Sequence, residues 1–317
     1  MNEIRRHARL SLLSFLLVGG LLVQMLVQPF LGLKGRRNFI RLWSRALLAA
    51  CGVRVAVRTQ ATPSPSPMPS AGSGDETSVA MSGDTLGARQ LAPLPGSGRG
   101  SSALAGDTEA VPPSLADLAP GRMLVANHPS WLDIFAVNAV APAAFVAKAE
   151  ISRWPLVGPL VSQAGTIYIE RGRRRAVPEA ILAMRERLKE GWPVALFPEA
   201  TTHWGPALGP FHGNLLEAAI AEHAEVVPVG VRYLHDDGSP GEAAHFLGEQ
   251  TFVQSVWAIL GARGLRVELL VLPPVPAAGK TRAALAAELR GMIGAALGKV
   301  DAAEEAEVSA GGETLPD

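Results

Sequence analysis

Cysteine is nearly absent from this chain. Cys51 is the one cysteine in 317 residues, so no intramolecular disulfide framework can hold the fold, and the composition suits a reducing compartment. Net charge is absent too. The 29 basic residues offset 29 acidic ones, which leaves no global field to favour nucleic acid. No Gly-x-Ser-x-Gly elbow occurs, against a serine lipase, and no glycine-rich phosphate loop carries a lysine. His203, His223, His235 and His245 lack zinc-ligand spacing, and Asp236-Asp237 reads as a turn, so these histidines are taken as surface or structural residues. No stretch repeats.

What is present begins with apolarity. The mean hydropathy is +0.20, high for a soluble enzyme. The length suits one substantial α/β domain with appendages. Leu10 to Leu33 carries no charge, only Gln24, Gln28 and Pro29 as interruptions, and about 20 such residues can cross a bilayer. Arg5, Arg6 and Arg9 precede the run; Lys34, Arg36 and Arg37 follow it. Basic residues on both sides argue against a simple span, because the positive-inside bias favours one side for both ends. A hairpin or interfacial helix places both clusters against anionic head groups. A cleavable leader needs a small-residue site after the run, which Pro29-Phe30-Leu31-Gly32-Leu33 does not offer. Leu48-Ala49-Ala50-Cys51 has the look of a lipidation box, but arginines 36, 37, 41 and 45 stand where that box needs apolar residues.

Asn38 to Ala50 reads as a second helix. Phe39, Leu42, Trp43, Ala46, Leu47 and Ala50 fall on one face, with Arg41 and Arg45 opposite. Residues 1–52 are therefore expected to be membrane-anchoring helices, and 53–58 a first strand. From 59 to 119 Pro, Ser, Gly, Thr and Ala dominate without an aromatic, a composition that cannot offset its ordering entropy. It reads as a disordered insertion.

Residues 120–300 alternate short apolar strands with helical stretches. Strands are expected at Met123–Asn127, Ala144–Lys148, Thr166–Glu170, Val194–Pro198, Val226–Val231 and Leu265–Leu272. Helices are expected at Ser130–Val140, Pro178–Glu190, Asn214–Ala224, Phe252–Ala262 and Thr281–Lys299. The alternation predicts an α/β fold, a mostly parallel mixed sheet flanked by helices. The acidic residues 301–317 read as a flexible tail.

Four stretches carry candidate chemistry. In Asn127-His128-Pro129-Ser130-Trp131-Leu132-Asp133, His128 sits where a strand passes into a helix that proline can open. Asp133 can fold back onto the imidazole, fix its tautomer, and leave the other ring nitrogen to take a proton. Such a dyad needs a substrate hydroxyl as nucleophile, not a protein serine. The bland alternative is a cap, with Ser130 closing the helix and Asp133 at its positive end. Phe197-Pro198-Glu199-Ala200-Thr201-Thr202 follows a strand, where α/β folds place their sites. Its carboxylate and two hydroxyls could orient a head group, support the dyad, or form an ordinary polar turn. Gly165-Thr166-Ile167-Tyr168-Ile169-Glu170-Arg171 ends in an arginine whose fork suits phosphate and runs into residues 173–175, also arginines. Alone, it matches a solvated basic surface. Val226-Val227-Pro228-Val229-Gly230-Val231 reads as a buried strand.

Taken in order, these blocks resemble the glycerolipid acyltransferase family that includes the 1-acylglycerol-3-phosphate O-acyltransferases. That family shows Asn-His-x-x-x-x-Asp, Gly-x-x-Phe-Ile-x-Arg, Phe-Pro-Glu-Gly-Thr-Arg and a Val-Pro-Val strand. The resemblance runs from about Arg122 to Tyr233. It implies that His128 is the general base and Asp133 its partner, and that Arg171 and Glu199 to Thr202 contact the acceptor. Lys148 matches another basic position near that site. Three residues depart from the pattern. Ala200 replaces a glycine, so the backbone there either has a negative φ or is displaced. Thr202 replaces an arginine, and His212 stands where lysine is common.

The resemblance implies transfer of a fatty acyl group from acyl-CoA or acyl carrier protein to a lyso-lipid hydroxyl. The first acceptor expected is 1-acyl-sn-glycerol-3-phosphate, giving phosphatidic acid. The missing cations open a second, a phosphate-free lyso-lipid such as lyso-ornithine lipid. It implies no cofactor and no metal, with the acyl thioester as co-substrate. The partners are a membrane lipid and the acyl carrier, with no nucleic acid. The place is the inner membrane, the site facing the cytoplasm. The rival from another class is a non-catalytic lipid-binding protein that keeps the fold, against which the intact His128–Asp133 pair argues.

Overall fold

The computed structural model describes residues 2–27, 30–59, 121–154, 157–163, 165–170, 172–248 and 250–299. The expected insertion, apart from Thr59, the tail, and Arg171 lie outside the described residues.

Eight strands form one sheet: β1 (Val53–Thr59), β2 (Met123–Ala126), β3 (Ala144–Lys148), β4 (Ile167–Ile169), β5 (Val194–Leu196), β6 (Glu225–Leu234), β7 (Leu265–Val271) and β8 (Val275–Pro276). The order is β1-β7-β6-β2-β5-β3-β4, with β8 on β6. Pairing is parallel except where β6 meets β7 and β8. This is the expected mixed, mostly parallel sheet. Central β2 is buried throughout, as a strand covered on both faces must be. Its side chains alternate: Leu124 and Ala126 join one apolar cluster, Met123 and Val125 the other.

The helices are α1 (Asn2–Leu26), α2 (Leu33–Cys51), α3 (Asp133–Asn138), α4 (Val157–Gln163), α5 (Ala176–Lys189), α6 (Glu217–Ala221), α7 (Phe252–Gly261) and α8 (Arg282–Leu297). Helix α3 starts at Asp133, three residues later than expected. Asn214–Ala224 is one turn of 3₁₀ helix at Gly213–Leu216 followed by the short α6. Four elements escaped the sequence reading: α4, β8 and the 3₁₀ helices at Ala149–Arg153 and Glu242–Ala244. Helix α4 is short and contains the helix breakers Gly158 and Pro159, and β8 is a two-residue strand ending in proline.

Helices α1 and α2 lie antiparallel. Trp43 Nε1 donates to the Leu16 carbonyl at 3.2 Å, and Arg9 lies against Gly52 at the open end. The basic residues ahead of the apolar run do not all face outward. Arg5 donates to the Gly261 carbonyl at 2.8 Å, and Arg9 to Leu260 and Ala262 at 3.0 and 2.8 Å. These carbonyls end α7, where no further helical N–H can reach them and where the macrodipole favours a cation. The guanidinium of Arg6 lies 5.2 Å from the Trp257 ring centroid. The first basic cluster thus docks α1 on the domain. Along α1, Phe15, Leu22, Met25 and Leu26 are each more than half exposed. Glu3–Leu26 is long and apolar enough to cross a membrane.

Candidate active site

The site forms where β2, β5 and β6 end. Strand β2 stops at Ala126, and Asn127 locks its end to β6. The Asn127 side chain donates to the Val231 carbonyl at 2.9 Å and accepts the Val231 N–H at 2.7 Å. This bidentate clasp fixes the exit direction of the chain, so the next residue, His128, leaves the sheet at one angle.

Asp133, the first residue of α3, is fully buried. Its Oδ2 lies 2.8 Å from His128 Nδ1 and accepts the Ser130 N–H at 2.9 Å. Its Oδ1 accepts the Tyr233 hydroxyl at 2.7 Å. Ser130 does not cap the helix at the N-cap position. Its Oγ accepts the Leu132 N–H within the turn, at 3.2 Å. Burial pushes the Asp133 carboxyl above its ordinary range, and the bonds from His128, Ser130 and Tyr233 pull it back. The carboxylate fixes the imidazole through Nδ1 and leaves Nε2 uncommitted to it. The His128 ring stacks on Phe197, the residue after β5, at 4.0 Å and 7°. Phe145 of β3 continues the stack at 5.6 Å. One edge bond and one face contact therefore hold the ring.

Tyr233 was missed in the sequence. It is one of two tyrosines in the chain and is buried beside Asp133. Burial and the Asp133 charge push its phenol well above the ordinary value, so it stays a donor. The signal was parity. Val227, Val229, Val231 and Tyr233 share one face of a strand that was expected to end at Val231.

Glu199, expected at the acceptor, is 4% exposed. Its Oε2 accepts the His128 N–H at 2.7 Å and its Oε1 the Gly209 N–H at 3.0 Å. A Cβ at Gly209 would stand 3.3 Å from that oxygen, so only glycine lets the backbone approach without displacement. Burial raises the Glu199 carboxyl, against the pull of the two amides. The His203 N–H returns to the His128 carbonyl at 2.8 Å, so both backbone polar groups of His128 are held by the 199–209 loop. From α8, Arg290 donates to the carbonyls of Gly209 and Leu208 at 3.0 and 2.8 Å.

Ala200 has φ of 58°. The departure from glycine is thus neither a negative angle nor avoided strain, since a left-handed alanine costs about 1–2 kcal/mol. Thr201 is exposed and Thr202 half-buried. Lys148 is exposed at the end of β3, in register with Ile169 of β4. Arg173 is held by Glu170 and Glu179. His212 is exposed, and its N–H donates to the Pro198 carbonyl. His245 is buried and stacks on Trp204 at 4.5 Å. Among the described residues no three His, Cys, Asp or Glu groups gather to hold a metal.

The mixed α/β sheet thus holds a histidine–carboxylate pair at its strand ends. Residues 108–232 match the model of the Acyltransferase family. The chain is 38% identical over 176 residues to a lyso-ornithine lipid O-acyltransferase of Pseudomonas aeruginosa, covering 55% of this chain and 66% of that one. It is also 38% identical over 149 residues to a 1-acyl-sn-glycerol-3-phosphate acyltransferase of Neisseria gonorrhoeae, covering 47% and 58%. The matches to these curated relatives thus span about three-fifths to two-thirds of their length. The fold is similar to that of the 1-acyl-sn-glycerophosphate acyltransferase PlsC of Thermotoga maritima. The TM-score is 0.55 at 19% identity, over 92% of this chain and 95% of that one.

Proposed function

We propose that the protein transfers a fatty acyl group from an acyl thioester, on coenzyme A or acyl carrier protein, to the free hydroxyl of a membrane lyso-lipid. The observation that carries this reading is the 2.8 Å contact between His128 Nδ1 and buried Asp133. It leaves Nε2 to take the acceptor proton as the hydroxyl oxygen attacks the thioester carbonyl. The carbon–sulfur bond then breaks, the imidazolium returns the proton to the departing thiolate, and an ester and a free thiol result. Asp133 stabilises the imidazolium formed on the way. Glu199, through the His128 N–H, holds the backbone from which the imidazole projects.

The acceptor we favour is 1-acyl-sn-glycerol-3-phosphate, with Lys148, Arg171, Thr201 and Thr202 toward its head group. A second reading, a phosphate-free acceptor such as lyso-ornithine lipid, is favoured by the neutral Thr202 and by the name of the Pseudomonas relative. The exposed apolar face of α1 supports attachment to the inner membrane, with the site on the cytoplasmic side where acyl thioesters are made. The test is incubation of purified protein with acyl thioester and a panel of lyso-lipids, with products read by mass. Phosphatidic acid from lysophosphatidate is expected. Product from lyso-ornithine lipid alone makes the second reading correct, and no product from any lyso-lipid defeats both.

A further inference from the structure

The loop from Glu199 to Gly209 braces His128, yet its own residues bring little positive charge to the site. In the family pattern that the chain resembles, the positions of Thr202 and His212 are cationic, and here they are not fixed cations. A cation reaches this loop from elsewhere. Helix α8 ends at Gly298, whose left-handed φ of 65° turns the chain. Near that end Leu297 lies over Gly230 of β6, and Gly294 faces Leu208 of the loop. Strand β6 runs parallel to β2, so the tip of α8 arrives at the strand ends where His128 sits. The residue after the turn is Lys299, and its Nζ donates to the Gly205 carbonyl at 2.7 Å.

An ammonium has three donors, and this carbonyl uses one. Among the described residues no carboxylate forms an ion pair with Lys299. The charge of Glu199 acts on it, but the Glu199 oxygens are already engaged by two amides. Burial lowers the Lys299 ammonium below its ordinary value. A half-buried cation with no carboxylate in direct contact gains from an anion that arrives to pair with it. The loop it touches is the one bonded to both backbone groups of His128.

We propose that Lys299 is a specificity-determining residue that meets the anionic group of the acceptor lipid, phosphate or carboxylate, in place of the cations absent at Thr202 and His212. This rests on the lyso-lipid acyltransferase reading. The two anions come from different acceptors, lysophosphatidate and lyso-ornithine lipid, and an uncharged monoacylglycerol serves as the contrast.

The experiment measures binding by the full chain in detergent micelles, separately from turnover, for these three lipids and for acyl-CoA. Lys299→Gln keeps a donor for the Gly205 carbonyl and removes the charge. Losing one charge-assisted bond is expected to weaken the preferred anionic lipid by about tenfold or more. Monoacylglycerol and acyl-CoA should stay within about twofold, and Lys299→Arg should retain most of the affinity. Whichever anionic lipid loses affinity identifies the source of the anion. The proposal is overturned if Lys299→Gln weakens all four ligands alike, which is the signature of a loop clamp. It is also overturned if only acyl-CoA is affected, or if neither anionic lipid is. Absence of acyl transfer by the wild type, with charge-selective binding retained, would defeat the enzymatic reading and leave Lys299 as an anion contact.

Discussion

The Tyr233 hydroxyl donates to Asp133 Oδ1 at 2.7 Å, on the oxygen that His128 does not use. The carboxylate is thus held from both sides, by the imidazole and Ser130 on one oxygen and the phenol on the other. Tyr233→Phe removes one of the bonds that lower the Asp133 pKa. The carboxylate then takes its proton at higher pH, so the acid limb of the kcat profile should move upward. At neutral pH we expect kcat to fall roughly tenfold with KM little changed, the cost of one hydrogen bond to a charged group. A lower melting temperature with an unmoved limb would make Tyr233 a packing residue only.

His128→Ala should reduce transfer by roughly 10²–10⁴-fold, the usual contribution of a positioned base. Asp133→Asn should be impaired nearly as much, because an amide nitrogen can face Nδ1 and leave the tautomer unfixed. Both proteins should still sediment with membranes. Near-normal turnover of either in the purified system would remove the dyad from the mechanism.

Legibility in the sequence followed the range of the interactions. The His128–Asp133 pair is five residues apart and closed by one turn, so spacing alone pointed to it. The strands at 123, 144, 194 and 265 declared themselves through apolar runs. Contacts that join distant segments gave no local signal. Glu199 reaching the His128 N–H, Arg290 clasping the loop carbonyls, and Lys299 arriving from α8 all depend on how the layers pack. The arginines of α1 misled for a related reason. Flanking an apolar run they match head-group anchors, yet α7 presents carbonyls that only its packing against α1 brings within reach.

Ala200 carries a left-handed φ of 58° in the loop beside Glu199. Ala200→Gly relieves that conformation, offset by the greater freedom of glycine in the unfolded chain. A net gain of about 0.5–1 kcal/mol is expected, or roughly 2 °C in melting temperature for a domain of this size. Thermal unfolding in detergent reads this directly. A lower melting temperature would show that the alanine methyl makes contacts worth more than the strain.

His245 is buried between Trp204 and Tyr233. Burial first, and then the Lys299 charge, lower its pKa from 6.5 to about 4. Between these values the unfolded chain binds a proton that the folded one does not. Its contribution to stability is therefore complete above about pH 6.5 and is lost as pH falls toward 4. The loss is on the order of 2–3 kcal/mol across that window. His245→Phe, which keeps the stack on Trp204, should flatten the decline in melting temperature between pH 6.5 and 4.5. An unchanged decline would assign it to other groups.

Helices α1 and α2 form an antiparallel pair whose open end, at Arg9 and Gly52, lies on the domain. Its exposed apolar residues run along the pair, from Ile4 and Phe15 to Leu22, Met25, Leu26 and Phe30 at the other end. A pair of this kind can enter one leaflet and return, which leaves both Ser11 and Asn38 on the side of the domain or within the lipid. Single cysteines at Ser11 and Asn38, introduced with Cys51→Ser, should therefore both be shielded from an impermeant thiol reagent applied outside intact cells. Labelling of Asn38 from outside, with Ser11 protected, would require α1 to cross the bilayer. The domain after α2 would then face away from the cytoplasmic acyl thioesters, so this result would contradict the placement of the active site as well as that of the anchor.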